Sequence, residues 1–557
     1  MKSPRWLMLL AGALLVLAFP DPNLEFLAWF GLVPGLLLIL RSPTAREGGI
    51  RAWWLGTGYL IAALYWMAPE IGPGVLLVAA VFGVLWVPFG VAAWSLLRPP
   101  VRRSSGPGTS GPGSSGPGSS VPGSSGPGLS VPWPRALAAL VVVPSCWLLT
   151  EWLRSWQALG GPWAVLGASQ WQHPAVLALA SVGGVWLVSF ALVLCNVAIV
   201  LVIGSATRRA RSALVTGVTG VVAVLAVVGA GPLAFALTAP FPVVRHATIT
   251  LVQPGVISDG TARADASQSL TAERTREGLF GIARPDLIVW GESSIGDDLF
   301  TDHALLSQIE ALSARDGAEI LVSQDTTPPG QGHEKWAVLV SPSGIKGTYV
   351  KTRLVPFGEY IPFRQQLGWL TRISKAASSN MVPGPGAHLL NATDRAGRPL
   401  PIGVLICFES AFPDMSRVDA DKGAQLIVYQ SETSTFQGTW GPDQHASLSA
   451  VRAAETGRPV VQAALTGDSV AFDARGRQLA WMGQSEHGVV TVRLGLPSAS
   501  ARTRYDEWGD YVPWTALAVV VVAALAMFAR RRGFLGKRAG AGDGHAAQCV
   551  AGQSVPK

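Results

Sequence analysis

The chain is 557 residues long, 49% hydrophobic and only 14% charged, with 21 tryptophans against 7 tyrosines. Soluble proteins carry about 25% charged residues, so this composition argues against an ordinary water-soluble enzyme, and the length argues for more than one domain. The formal charge of +8 fits nucleic acid, a membrane surface or basic loops, and the positions of the arginines decide among these.

Taken in chain order, apolar segments near residues 6–20, 24–40, 52–68, 74–97, 136–153, 176–204, 213–238 and 512–529 approach the ~20 residues that cross a bilayer. Lys2 and Arg5 ahead of the first run have the look of a signal peptide. However, Phe19-Pro20-Asp21-Pro22 turns straight into the second run without a small-residue cleavage site, so a helical hairpin is expected. Basic clusters stand at Lys2/Arg5, Arg41/Arg46/Arg51, Arg98/Arg102/Arg103, Arg208/Arg209/Arg211 and Arg530/Arg531/Arg532, and eight spans put all of them on one side. The alternate connections, Asp21-Pro22-Asn23 and Pro69-Glu70-Ile71, carry none. Cytoplasmic loops retain Lys and Arg, so both termini are expected in the cytoplasm, and the basic balance is explained without nucleic acid.

The expected organisation follows from these runs. Residues 1–97 hold transmembrane helices 1 to 4, and residues 98–135 form a cytoplasmic Gly/Pro/Ser linker built on the Ser-Ser-Gly-Pro-Gly repeats of 104–131, too poor in apolar surface to fold. Residues 136–240 hold helices 5 to 7, residues 511–530 helix 8, and 531–557 a basic cytoplasmic tail. Residues 243–500 differ from the rest. Strand-like runs at 247–253, 287–290, 320–323, 337–340, 402–406, 426–429, 460–464 and 489–492 alternate with helical stretches around 264–281, 302–316 and 443–456, the pattern of an α/β domain. Seven spans precede it, which puts it outside the cytoplasm. The fold class is thus a polytopic α-helical membrane domain of about eight spans plus an extracytoplasmic α/β domain.

Of the cysteines Cys146, Cys195, Cys407 and Cys549, no close-spaced pair suggests a disulfide framework or a metal site. His246, His303, His333, His388, His445 and His487 are scattered, which points to core or solvent rather than to a metal. Cys407 is the one cysteine of the outer domain and ends the apolar strand Ile402-Gly403-Val404-Leu405-Ile406. Glu292 follows Leu287-Ile288-Val289-Trp290 after one glycine, and Lys351 ends Tyr349-Val350. Singly these residues read as a small buried hydrophobe, a surface carboxylate and a solvated lysine. Together at strand ends, where α/β folds gather their catalytic groups, they supply a nucleophile, a base and a cation for acyl transfer.

Glu292, Lys351 and Cys407 resemble the Glu-Lys-Cys triad of the nitrilase (carbon–nitrogen hydrolase) superfamily. Leu354-Val355-Pro356-Phe357-Gly358-Glu359-Tyr360-Ile361-Pro362, Ile406-Cys407-Phe408-Glu409, Leu17-Ala18-Phe19-Pro20, Tyr65-Trp66 and Glu151-Trp152-Leu153-Arg154 through Gly161-Pro162-Trp163 to Ser169-Gln170 are together similar to the membrane-embedded apolipoprotein N-acyltransferase family. Trp290-Gly291-Glu292 stands where that family has Trp-Pro-Glu, and Phe408 where tyrosine is common. The resemblance implies an αββα sandwich for 243–500 and a location in the cell membrane. Its substrates would be a phospholipid acyl donor and a diacylglyceryl-modified apolipoprotein acceptor, joined through a Cys407 thioester without metal or cofactor. It also implies Glu292 as general base and acid, Lys351 as oxyanion stabiliser, and Glu359 and Glu409 as supporting carboxylates. A membrane-anchored amidase using the same triad, and a transporter with an inert outer domain, are the alternatives the residues leave open.

Overall fold

The computed structural model describes residues 5–98, 131–206, 211–255, 263–280, 284–328, 332–372 and 380–546. The repeats of the expected linker and Cys549 lie outside these residues. The helix Trp133–Arg154 begins inside the segment expected as linker, and the last helix, Tyr511–Ala546, runs on into the expected tail.

Among the described residues, five helices are long and apolar enough to cross a bilayer: Gly74–Leu97, Trp133–Arg154, Ala180–Ala206, Ala213–Leu237 and Tyr511–Ala529. The expected number was eight. Trp6–Ala18 and Glu25–Leu40 are shorter apolar helices, below the ~20 residues that usually cross a bilayer. The third expected span is shifted. Its helix, Ala45–Ala63, carries Arg46, Glu47 and Arg51 in its first two turns. The long helices present Leu214, Val222, Leu225, Val522 and Leu525 more than half exposed, an apolar surface that water would not tolerate over this extent. This is a membrane protein.

The two ends of the helical layer differ. At one end Arg5 pairs with Glu47 at 3.3 Å, Arg98 donates to the carbonyls of Ser42 and Pro43 at 2.9 and 3.0 Å, and Arg135 donates to that of Ser95. At the other end the α/β domain is seated: the Trp440 N–H donates to the Tyr65 hydroxyl at 2.9 Å, and Trp171 packs on Trp481 at 5.0 Å. The helix Ala180–Ala206 breaks at Gly183 and Gly184, and the freed Val185 N–H donates to the Glu455 carboxylate of the α/β domain at 2.7 Å. A carboxylate at a helix N-terminus is favourable, so this contact ties the two layers.

The α/β domain has twelve strands: β1 (Val243–Gln253), β2 (Leu287–Val289), β3 (Glu319–Thr326), β4 (Glu334–Ser341), β5 (Gly344–Val350), β6 (Leu389–Thr393), β7 (Pro399–Ile406), β8 (Leu426–Ser431), β9 (Val460–Ala464), β10 (Ser469–Phe472), β11 (Gln478–Met482) and β12 (Gly488–Pro497). They form two six-stranded sheets, ordered β12-β1-β2-β3-β4-β5 and β11-β10-β9-β8-β7-β6. Side chains alternate faces along a strand. Ile249, Leu251, Leu287, Val289, Leu321 and Leu339 enter the core shared with the second sheet. Their neighbours Ile288, Ile320, Val322, Val338 and Val340 instead pack with Leu305, Ile309 and Leu312 of the helix His303–Asp316. Helices Pro413–Asp421 and Gly441–Thr456 pack on the other sheet, completing an αββα sandwich. Strands β1, β2 and β3 run parallel in one sheet and β7, β8 and β9 in the other, so their carboxyl ends come together at one edge of each sheet.

Candidate active site

Glu292, Lys351 and Cys407 meet at that edge. Glu292 follows β2, and its N–H crosses between the sheets to the Ser431 carbonyl at 3.2 Å. A Cβ at the preceding Gly291 would lie 2.0 Å from the Leu465 nitrogen and 2.7 Å from the Ala464 carbonyl carbon. Both neighbours are backbone, so glycine is the residue that lets β2 and β9 approach this closely. Lys351 follows β5 and is 1% exposed. Its N–H donates to the Lys335 carbonyl at 2.9 Å, and its ammonium donates to Glu292 Oε1 at 3.0 Å and to Glu359 Oε1 at 2.6 Å. Glu359 Oε2 accepts the Val355 N–H at 2.8 Å, which holds the Leu354–Ile361 loop against the lysine.

Cys407 opens a short 3-10 turn, Cys407–Ala411, directly after β7, with φ of +51°. A non-glycine residue is uncommon there, and such strain is concentrated at functional sites. The thiol is half-buried, and Sγ lies 3.8 Å from the Glu432 carbonyl oxygen. Burial pushes the Cys407 thiol well above its ordinary value, Glu292 raises it further, and Lys351 only partly opposes this. Burial would raise Glu292 too, but the ammoniums of Lys351 and Lys335 hold it below the usual carboxylate range. Lys351 is the reverse case: burial would lower it, and Glu292 and Glu359 hold it well above the ordinary ammonium value. The resting arrangement is a neutral thiol beside a carboxylate and an ammonium, which is the state a general-base attack starts from.

Glu409 stands apart from this group. Its Oε1 accepts the Tyr349 hydroxyl at 2.7 Å and the N–H groups of Thr352 and Arg353 at 2.7 and 2.9 Å, and its Oε2 accepts the Ile406 N–H at 2.7 Å. It splices the chain around Lys351 to the chain before Cys407. Glu409→Ala strands three backbone N–H groups, each costing about 1–3 kcal/mol when buried and unpaired. The expected result is a lower denaturation temperature in detergent together with a slower nucleophile, checked by thermal unfolding and single-turnover labelling of Cys407.

Sequence reasoning missed two neighbours of the site. His445, one of the scattered histidines, is buried with Nε2 3.1 Å from the Ser410 hydroxyl, and Trp163 stacks on it at 6.3 Å. Burial pushes it down to about 4, so it is neutral at ordinary pH. Lys335 places its ammonium 3.4 Å from Glu292 Oε1. An aromatic wall joins the site to the apolar helices: Trp66 packs on Trp163 at 4.9 Å and on Phe436 at 4.6 Å, and Phe408 lies edge-on to Phe412 at 5.3 Å. The left-handed Gly161 crosses these last two rings so closely that a Cβ would be 2.8 Å from each.

Comparison with known proteins matches residues 11–198 to the apolipoprotein N-acyltransferase N-terminal domain and residues 286–504 to the carbon–nitrogen hydrolases. The chain is 30% identical over 400 residues to the apolipoprotein N-acyltransferase of Methylococcus capsulatus, covering 71% of this chain and 74% of that one. It is 27% identical over 552 residues to that of Geobacter metallireducens, covering 94% and 95%. To that of Chlorobaculum tepidum it is 27% identical over 574 residues, covering 96% and 98%. A helical region with five candidate spans, an α/β sandwich and these relatives lead to one conclusion: the chain belongs to the apolipoprotein N-acyltransferase family, membrane enzymes of the carbon–nitrogen hydrolase superfamily that acylate lipoproteins in their maturation.

Proposed function

We propose that the chain moves an acyl chain from a membrane phospholipid to the α-amine of the diacylglyceryl-cysteine that begins an apolipoprotein, by a thioester on Cys407. The observation that carries this reading is the Glu292 carboxylate 3.0 Å from the Lys351 ammonium at the sheet edge where Cys407 opens its strained turn, with aromatic side chains between this edge and the apolar helices. Glu292 takes the proton from Cys407 as sulfur attacks the ester carbonyl, and the Lys351 ammonium receives the charge that develops on oxygen. The C–O bond breaks, the lysophospholipid leaves with the proton from Glu292, and the acyl group stays on sulfur. The acceptor amine then attacks the thioester and gives a proton to Glu292. The amide forms, and that proton returns to sulfur. Glu359 positions Lys351, and Glu409 holds the two backbone segments in register.

A membrane site suits both substrates. Each buried methylene contributes about 0.8 kcal/mol in the bilayer, so drawing an acyl chain into water would be prohibitive. In this reading Trp6–Ala18, Glu25–Leu40 and Ala45–Ala63 complete an eight-segment layer. The arginine-bearing end, the 98–135 linker and the 531–557 tail face the cytoplasm, and residues 243–500 face outward. The opposite placement of the arginines and the α/β domain supports this.

The test is a two-substrate assay in detergent micelles, with phospholipid labelled in its acyl chain and a diacylglyceryl-cysteinyl peptide as acceptor. Label appearing on the peptide amine supports the reading. Ammonia release from small amides, with no labelled peptide, would replace it with an amidase.

A further inference from the structure

A second ammonium sits on the base. Lys335 is the second residue of β4 and pairs across the sheet with Asp325 of β3. Its Nζ lies 2.9 Å from Asp325 Oδ1, donates to Ser293 Oγ at 2.7 Å, and is 3.4 Å from Glu292 Oε1, with the side chain 9% exposed. Ser293 in turn donates to Asp325 Oδ2 at 2.9 Å, so Lys335, Ser293 and Asp325 close a ring. Ser293 directly follows Glu292 and has φ of +52°, so this ring clamps the strained turn that aims the base. The Lys335 carbonyl also accepts the Lys351 N–H at 2.9 Å. One residue therefore touches both Glu292 and Lys351.

The charges around it explain why a second cation belongs here. Glu292, Glu359 and Asp325 are three carboxylates facing two ammoniums, Lys351 and Lys335, with the His333 ring acting on Asp325 and the Cys407 thiol and neutral His445 completing the surroundings. Removing Lys335 would leave three carboxylates on one ammonium, with Glu292 the buried one among them. Like charges packed together drive a proton onto one of them, and Glu292 and Asp325 are the two that lose one of their partners, Glu292 keeping only Lys351.

We propose that Lys335 is a positioning residue for the acyl transfer: held by Asp325, it keeps Glu292 unprotonated and aimed at Cys407, and so sets the acidic limit of the reaction. This rests on Glu292 being the base. In the resting enzyme Lys335 is itself held above its ordinary value by Asp325 and Glu292, against burial, so it stays charged across the working range.

The experiment is the pH dependence of acyl-enzyme formation from phospholipid in a single turnover, on the full-length chain in detergent. Lys335→Met is expected to move the acidic limb up by about 1–2 pH units, with the rate recovering toward wild type above it and the KM for phospholipid unchanged. Lys335→Arg is expected to bring the limb back. Asp325→Asn, which removes a negative charge from the cluster, is expected to move the limb the other way. It decides the matter alone if Lys335→Met does not accumulate folded. A Lys335→Met profile of wild-type shape, scaled down equally at every pH, would overturn the proposal, as would an unshifted Asp325→Asn profile. Acyl-enzyme formation by Glu292→Gln at the wild-type rate is a different failure, because it would remove the base itself.

Discussion

Cys407→Ala is expected to abolish both thioester formation and transfer, a loss of at least ~10⁴-fold of the kind seen when a covalent nucleophile is deleted. The fold should survive, because the groups that shape this turn are backbone and Glu409, which accepts the Ile406 N–H. Intact circular dichroism with no label from acyl-labelled phospholipid is the result that separates chemistry from folding. Wild-type Cys407 also makes a quieter prediction. Burial and Glu292 push its thiol upward, and only the thiolate alkylates readily. Reaction with a small haloacetamide should therefore be slow at neutral pH, with its midpoint well above the pH at which an ordinary cysteine is half thiolate, near 8.5. A fast, pH-independent alkylation at neutral pH would mean a preformed thiolate and a different role for Glu292.

Glu292→Gln is expected to cost at least ~10³-fold in acyl-enzyme formation, within the range of 10²–10⁴ that a positioned base contributes. Both ammoniums would then face a neutral amide. The sign of the pH dependence follows from the directions of the two shifts. Glu292 sits below the usual carboxylate range, so as pH falls it remains a base through the region near 4.3, where an ordinary glutamate protonates. Cys407 sits above its ordinary value, so the thiol proton that Glu292 must take is still present as pH rises past 8.5. A broad plateau is expected, falling only below the ordinary glutamate range on the acid side. A wild-type acid limb near pH 6 would contradict the charge arrangement around Glu292.

Cys407 and Glu292 could be read from the sequence because each follows an apolar run that β-structure explains, and Lys351 because it stands between Tyr349-Val350 and the Leu354–Pro362 block. Cys407 follows β7, Glu292 comes just after β2, and Lys351 is the first residue after β5. What failed was local pattern without apolar contrast. Strand β5, Gly344-Ile345-Lys346-Gly347-Thr348-Tyr349-Val350, has glycines and a lysine where alternation would show, and β11 is an edge strand opening on Gln478. The helix Pro413–Asp421 is short and polar. Lys335 stayed hidden because Glu334 and Trp336 surround it with a surface-like run, and only the pairing of β3 with β4 brings Asp325 opposite. His445 looked like one histidine among six because its burial depends on Trp163 from another layer. Hydropathy reports apolar content, so by itself it did not set the five long helices apart from the shorter apolar ones. It does not show that the third helix starts at Ala45 among charges.

The central claim is the acyl group on Cys407, and mass spectrometry of the peptide containing it is the most direct measurement. After incubation with phospholipid alone, that peptide should gain one acyl chain, which hydroxylamine removes. Addition of a diacylglyceryl-cysteinyl peptide should discharge it, with the chain recovered as an amide on the acceptor. Turnover with Cys407 unmodified at every time point, or discharge only to free fatty acid with the acceptor present, would contradict the account.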